Sequence, residues 1–178
     1  KKGDRVTLFL FGGITRWRMP FSEDLEDFKV KVSEISHPEI YEEETQLYTD
    51  FAYLLEYAPK CIDKQAGFIK NNAFGLNLTR YNNNRIAFFF SDGNNESLGK
   101  LDTGIRELRK RNVKIYSIGI GTQAGTNVTI KAYNQKDPTK PPEKVIIKTR
   151  LAMKDMDKIA LGTRGNSFVL SSANRQPE

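Results

Sequence analysis

The stretch Arg85-Ile-Ala-Phe-Phe-Phe-Ser-Asp-Gly93 decides the fold of this chain. Its continuous apolar run predicts a strand buried on both faces, as in a parallel sheet covered by helices. Asp92 follows the strand directly, at the sheet rim where open α/β sheets place their ligands. Gly93 then permits a sharp turn, and a carboxylate in that position suits a hard cation. Taken alone, the stretch predicts a strand-to-helix turn that carries an acid.

The segments around this stretch alternate between apolar strands and amphipathic helices. Strands are predicted at 6–11, 85–90, 113–120 and 167–170, and helices from Pro20 to His37, from Thr45 to about Pro59, over about 97–111 and up to Gly162. This alternation predicts an α/β fold, with a Rossmann-like, mostly parallel sheet flanked by helices on both faces. A β-hairpin at 126–150 is expected to interrupt it, and the helix content of residues 60–84 is left open.

Length and composition exclude several classes of protein. The 178 residues predict a single domain, 1–178. The net charge is +6, but the basic residues are scattered, which argues against nucleic-acid binding. Cys61 and His37 are each the only residue of their type, so a disulfide framework and a cysteine-based zinc site are excluded. No run approaches the roughly 20 apolar residues of a membrane span.

Four stretches, in this order, resemble a von Willebrand factor A domain. They are Gly3-Asp4-Arg5-Val6, Glu44-Thr45-Gln46-Leu47, Phe90-Ser91-Asp92-Gly93 and the strand from Val113 to Thr122. The hairpin, followed by residues 156–160 and 163–168, is similar to the bacterial aerotolerance (Bat) branch of that family, BatA and BatB. The resemblance implies the same α/β fold.

The resemblance also implies a divalent-cation site at the carboxyl end of the sheet. Family members bind Mg²⁺ or Mn²⁺ through an Asp-x-Ser-x-Ser loop, a threonine and an aspartate, and a partner's carboxylate can complete the coordination. By position, Thr45 would be the threonine, with Thr49 as the runner-up, and Asp92 the aspartate. Asn94 and Thr122 would lie on the rim that contacts the partner. This sequence contains no Asp-x-Ser-x-Ser motif.

In the family, the absent motif ends a first strand that lies upstream of the strand at 6–11. The domain is therefore expected to lack its first strand and helix in this sequence. We expect upstream residues in the natural protein; a truncated relative, or a strand supplied by another chain, is the alternative. An intact mass of the natural protein well above 20.3 kDa would favour the first explanation.

The expected function is a non-enzymatic adhesion or scaffolding module that binds another protein, with neither nucleic acid nor a small-molecule substrate. The resemblance implies that this domain is the periplasmic part of a bacterial inner-membrane stress or aerotolerance protein. That protein would act in a membrane complex, and segments outside this chain would anchor it.

Three alternatives to this function are a metal-independent structural module, a hydrolase using Asp92 as nucleophile or base, and a nucleotide-binding regulator. For the last, Gly12-Gly13 and the glycines at 119–121 match no phosphate-binding motif. The hairpin is either a spacer or an interaction arm with an exposed edge.

Overall fold

The computed structural model describes residues 4–35, 48–72, 84–132, 141 and 143–170. Its elements are β1 (Val6–Phe11), β2 (Thr15–Ser22), α1 (Leu25–Glu34), α2 (Phe51–Asn72), β3 (Arg85–Ser91), α3 (Leu101–Lys110), β4 (Val113–Ile120), β5 (Thr126–Ala132), β6 (Glu143–Thr149), α4 (Met153–Gly162) and β7 (Ser167–Leu170). The described strands form three sheets, β1-β2, β3-β4-β7 and β5-β6. The chain divides into two compact units. The first holds β1, β2 and α1–α3, and the second holds most of the β3-β4-β7 sheet, the β5-β6 hairpin and most of α4.

In the first unit, β1 and β2 form an antiparallel pair in which Phe9 lies opposite Trp17. The two rings stack with centroids 6.1 Å apart. The sequence predicted β1 but missed β2, because Pro20 was taken as the start of a helix. Among the described strands β2 pairs only with β1, and an edge strand tolerates a proline. The helix begins later, after Asp24, whose carboxylate accepts bonds from two backbone N–H groups of the first turn.

Helix α2 contains Pro59 and continues to Asn72, so the predicted helix end at Pro59 is wrong. An interior proline costs a helix about 3 kcal/mol. Cys61 and Ile62, just beyond it, are buried at 4 % and 8 % exposure. Burial of side chains beyond the proline therefore offsets its cost.

Helices α2 and α3 approach each other closely at a glycine of α3. A Cβ atom on Gly104 would lie 2.4 Å from the Cβ atom of Leu55, well inside contact distance. The apolar stripe predicted for the helix at 97–111 is confirmed for Leu101, Ile105 and Leu108, which are all buried. It is wrong for Leu98, which precedes the helix and is fully exposed. This face and the core side of α2 together form much of the first unit's core.

Arg111 links α2 to the end of α3 through two carboxylates. Its guanidinium donates to Asp63 at 2.8 and 2.6 Å, and to Glu107 Oε2 at 2.8 Å. The hydrogen bond from Arg111 lowers the pKa of Asp63 below its ordinary value of 3.8. A carboxyl whose pKa is lowered on folding contributes stability above its unfolded pKa and loses it as the pH falls through its folded pKa.

We expect Arg111→Gln to reduce the acid sensitivity of the domain. The wild type should lose this contribution as the pH falls below about 4, whereas the variant lacks it at every pH. Because Asp63 is more than half exposed, the difference at pH 7 should be below about 1 kcal/mol. Urea unfolding of both proteins at pH 7 and pH 3 measures it, with the exposed Lys100→Gln as the charge-matched control. Parallel pH profiles for Arg111→Gln and the wild type would contradict the expectation.

In the second unit, β4 and β7 pair in parallel, with Ser117 opposite Ser167. The predicted α/β class and parallel sheet are confirmed. Along β4 the buried and outward positions alternate, and Ser117 is fully buried with its hydroxyl donating to the carbonyl of Met156 at 3.0 Å. The buried face of this sheet therefore packs on α4.

The other face of the sheet is exposed, so the prediction that β3 is buried on both faces is wrong. Ile86, Phe88 and Phe90 are 60 %, 65 % and 51 % exposed, whereas Phe89 between them is buried. Phe88, Tyr116 and Phe168 lie side by side across the three strands, with neighbouring ring centroids 6.1 and 6.5 Å apart. A continuous apolar run does not report which faces of a strand are covered, and here one face of β3 is open.

We expect Phe88→Thr with Phe168→Thr to lower the fluorescence of the apolar dye ANS bound to the domain. The pair removes the outer rings of this exposed row, and an accessible apolar patch is what such a dye binds. Leu98→Thr is the control, since that side chain is fully exposed but lies outside the row. Equal dye fluorescence in the double variant and the wild type would contradict an open sheet face.

Candidate functional site

The predicted site begins in the loop that follows β3, which its own side chains hold in place. The backbone N–H of Gly93 donates to Ser91 Oγ, and that of Asn94 donates to Asp92 Oδ1, each at 3.0 Å. The carbonyl of Asp92 accepts a bond from the N–H of Ala152 at 2.8 Å. The loop is thereby fixed to the start of α4.

Gly93 meets a requirement that no other residue satisfies at this turn. Its φ is +81°, a left-handed conformation that side chains rarely adopt. A Cβ atom there would lie 1.9 Å from the carbonyl oxygen of Ala152. The Asp92-Gly93 pair therefore forms the sharp turn that the sequence predicts, and the structure adds that this turn packs against the backbone of Ala152.

Thr149, the last residue of β6, is a site residue that the sequence analysis missed. Its Oγ1 donates to Asp92 Oδ2 at 2.5 Å. Together with the Asn94 amide, it gives each carboxylate oxygen of Asp92 a donor. The hydroxyl also ties the base of the hairpin to the rim. A threonine 57 positions away in sequence belongs to no local motif, so no sequence signal could have found it.

The loop after β4 is held by the same connection as the loop after β3. The carbonyl of Thr122 accepts bonds from the N–H groups of Gly125 at 3.1 Å and Leu151 at 3.0 Å. Leu151 and Ala152 are consecutive, so their amides bind the β4 loop and the β3 loop in turn. The structure therefore brings Asp92, Asn94 and Thr122 to one rim of the second unit. Asn94 and Thr122 are exposed there.

Neither threonine predicted as a cation ligand is among the described residues of the second unit. Thr45 lies outside the described residues. Thr49 belongs to the first unit, where its carbonyl accepts a bond from the N–H of Glu96 at 2.9 Å.

The described residues on their own do not fit a divalent cation. A hard cation takes about six oxygen ligands, several of them carboxylates. Within the described ranges there is no cluster of three or more His, Cys, Asp or Glu residues that could hold a metal. Asp92 brings one carboxylate, and both of its oxygens already accept hydrogen bonds.

A sequence model of the von Willebrand factor type A domain matches residues 1–159. This chain belongs to the von Willebrand factor type A domain family. The family predicted from the four sequence stretches is thus confirmed. No curated protein sequence matches the chain.

The solved structures that resemble this type A domain include two bacterial proteins. The protein BatB from Bacteroides thetaiotaomicron has a TM-score of 0.66 and 18 % identity, covering 96 % of this chain and 73 % of its own. An aerotolerance-related membrane protein from Bacteroides fragilis has a TM-score of 0.68 and 18 % identity, covering 98 % of this chain and 75 % of its own. At this identity the likeness shows a shared fold. None of the helices in the described part of the type A domain is long and apolar enough to cross a membrane.

Proposed function

We propose that this type A domain is a non-enzymatic module that binds another protein at the rim formed by Asp92, Asn94 and Thr122. One observation carries the proposal: the loops after β3 and β4 are both bonded to the consecutive amides of Leu151 and Ala152. Loops fixed in this way lose little conformational freedom when a partner binds, and preordering of this kind favours affinity.

The proposal includes that the domain is not an enzyme, and the burial of its cysteine supports this. Cys61 is 4 % exposed on α2, and burial raises the pKa of its thiol. A neutral, buried thiol is a poor nucleophile. His37, the only histidine, lies outside the described residues. A hydrolase remains the alternative, and turnover lost on Asp92→Ala in a folded protein would favour it.

The proposal has two forms, which differ in the role of a cation. In one, Mg²⁺ or Mn²⁺ held by Asp92, Thr45 and further ligands mediates the contact. In the other, the rim binds its partner directly. The direct form is favoured by the two hydrogen bonds that engage Asp92 and by the lack of further ligands among the described residues.

We propose further that the domain belongs to a bacterial membrane-anchored stress or aerotolerance protein and faces the periplasm, in contact with other members of a membrane complex. The support is the fold shared with an aerotolerance-related membrane protein.

The rim is tested by photo-crosslinking of the natural full-length protein in its own membranes. A benzophenone side chain at Thr122 should form a defined protein adduct, and the same group at the exposed Lys29 on α1 should not. Asp92→Ala should weaken the Thr122 adduct several-fold, because the loop that frames the rim loses its carboxylate. Equal adducts from both positions, or none from Thr122, would overturn the proposal. Loss of the adduct on chelation of Mg²⁺ would select the cation-dependent form.

A further inference from the structure

The sequence segment 126–150, which includes strands β5 and β6, carries most of the excess positive charge of the chain. Residues 126–150 contain six Lys and Arg against two Asp and Glu, a net charge of +4, whereas the whole chain has +6. About one seventh of the sequence therefore accounts for two thirds of its net charge.

The register of the hairpin gathers lysines on one of its faces. Lys131 lies opposite Lys144, and Asn127 lies opposite Lys148. Between these pairs, Thr129 lies opposite Ile146. Residues two apart on a strand share a face, so all six positions are on the same side of the hairpin. We call these six residues the basic face. Lys144 and Lys148 are exposed, and Ile146 is 68 % exposed.

The backbone register of the hairpin places two lysines at directly opposite positions, 131 and 144. Like charges placed directly opposite each other on paired strands are destabilising. In the helical lysines Lys29 and Lys60, by contrast, each Nζ lies 2.7 Å from the Oε1 of a glutamate one turn away. Those pairs are typical of a solvated helix surface. The exposed Lys144 and Lys148 instead share one face of β6, where an acidic ligand would contact both.

We infer that the basic face binds an acidic segment of a partner protein. The composition favours a protein over a membrane surface, because Ile146 is its one apolar residue and Thr129 and Asn127 flank the lysines. Membrane-surface elements bury several large apolar or aromatic side chains beside their basic residues. The inference goes beyond the proposed function, since the basic face is a second surface, distinct from the rim.

The test uses the whole domain and fluorescently labelled poly-L-glutamate at about 0.15 M salt. Lys144→Gln with Lys148→Gln should raise the dissociation constant about tenfold, as expected for two lost exposed ion pairs. Lys100→Gln with Lys154→Gln removes the same charge from exposed sites elsewhere, and it should change the constant less than about twofold. A thermal melt of each double variant confirms folding.

Three results would overturn the inference. Equal weakening by the two double variants would mean that only net charge matters. Absence of binding to polyglutamate would contradict an acidic partner. Binding to phosphatidylglycerol vesicles but not to polyglutamate, lost on Ile146→Ser, would assign the face to a membrane instead. The lysine variants leave the rim loops unchanged, so rim crosslinking reports separately on the proposed function.

Discussion

Replacing Gly93 by alanine should lower the free energy of unfolding by about 3–4 kcal/mol, in the upper range of single substitutions. Two costs add. The φ of +81° disfavours any side chain by roughly 1–2 kcal/mol. The new Cβ would lie 1.9 Å from the carbonyl oxygen of Ala152. That backbone cannot retreat without breaking the 2.8 Å bond from the Ala152 amide to the Asp92 carbonyl.

Gly121→Ala is the matched control for this substitution. Its φ is also positive, at +128°, but the nearest atom to a new Cβ is Leu151 Cβ at 3.9 Å, an ordinary contact. The control substitution therefore has the conformational cost of a positive φ but no steric clash. Urea unfolding of both variants should show Gly93→Ala to be the less stable by about 2 kcal/mol, in line with the cost of forced overpacking. Equal losses would mean that the loop after β3 moves freely against α4.

The apolar pattern predicted much of the fold. Strand β4 spans the predicted 113–120, and both hairpin strands lie within the predicted 126–150. These segments have period-2 or continuous apolar patterns bounded by glycine, proline or asparagine, so local signals agree with the tertiary structure. The pattern failed at prolines. Pro20 lies within a strand and Pro59 within a helix. The edge position of the strand allows the first and the packing of the helix offsets the cost of the second, and a local sequence pattern reports neither.

The sequence predicted the candidate site only where its residues are neighbours along the chain. Asp92 could be found because a strand, an acid and a glycine follow one another in sequence. Thr149 could not, because its contact with Asp92 depends on the path of the hairpin that precedes it. The open face at Phe88 was missed for a related reason, since coverage of a sheet is a property of the other elements. The expected second cation ligand, Thr45, lies outside the described residues, so the cation site stays a prediction.

Thr149→Val should lower the free energy of unfolding by about 2 kcal/mol, because it removes the hydroxyl that donates to the Asp92 carboxylate at 2.5 Å. Hydrogen bonds to charged groups contribute about 1.5–3 kcal/mol. Valine keeps the β-branched shape that suits a strand, so the hydroxyl is the main loss. Thr149→Ser should recover most of the stability. Thr126→Val, opposite Thr149 in the register and exposed, should cost less than about 0.5 kcal/mol.

A double-mutant cycle with Asp92→Ala separates the bond from other effects of these changes. If hydroxyl and carboxylate interact as in the structure, the loss from Thr149→Val should shrink by about 1–2 kcal/mol once Asp92 is alanine. Additive losses would mean that the bond contributes nothing in solution. In Thr149→Val, the amides at the end of β6 should also exchange faster with solvent, because the base of the hairpin is no longer tied to the rim. Faster exchange without the energetic coupling would point to a loosened strand end rather than to the loss of this bond.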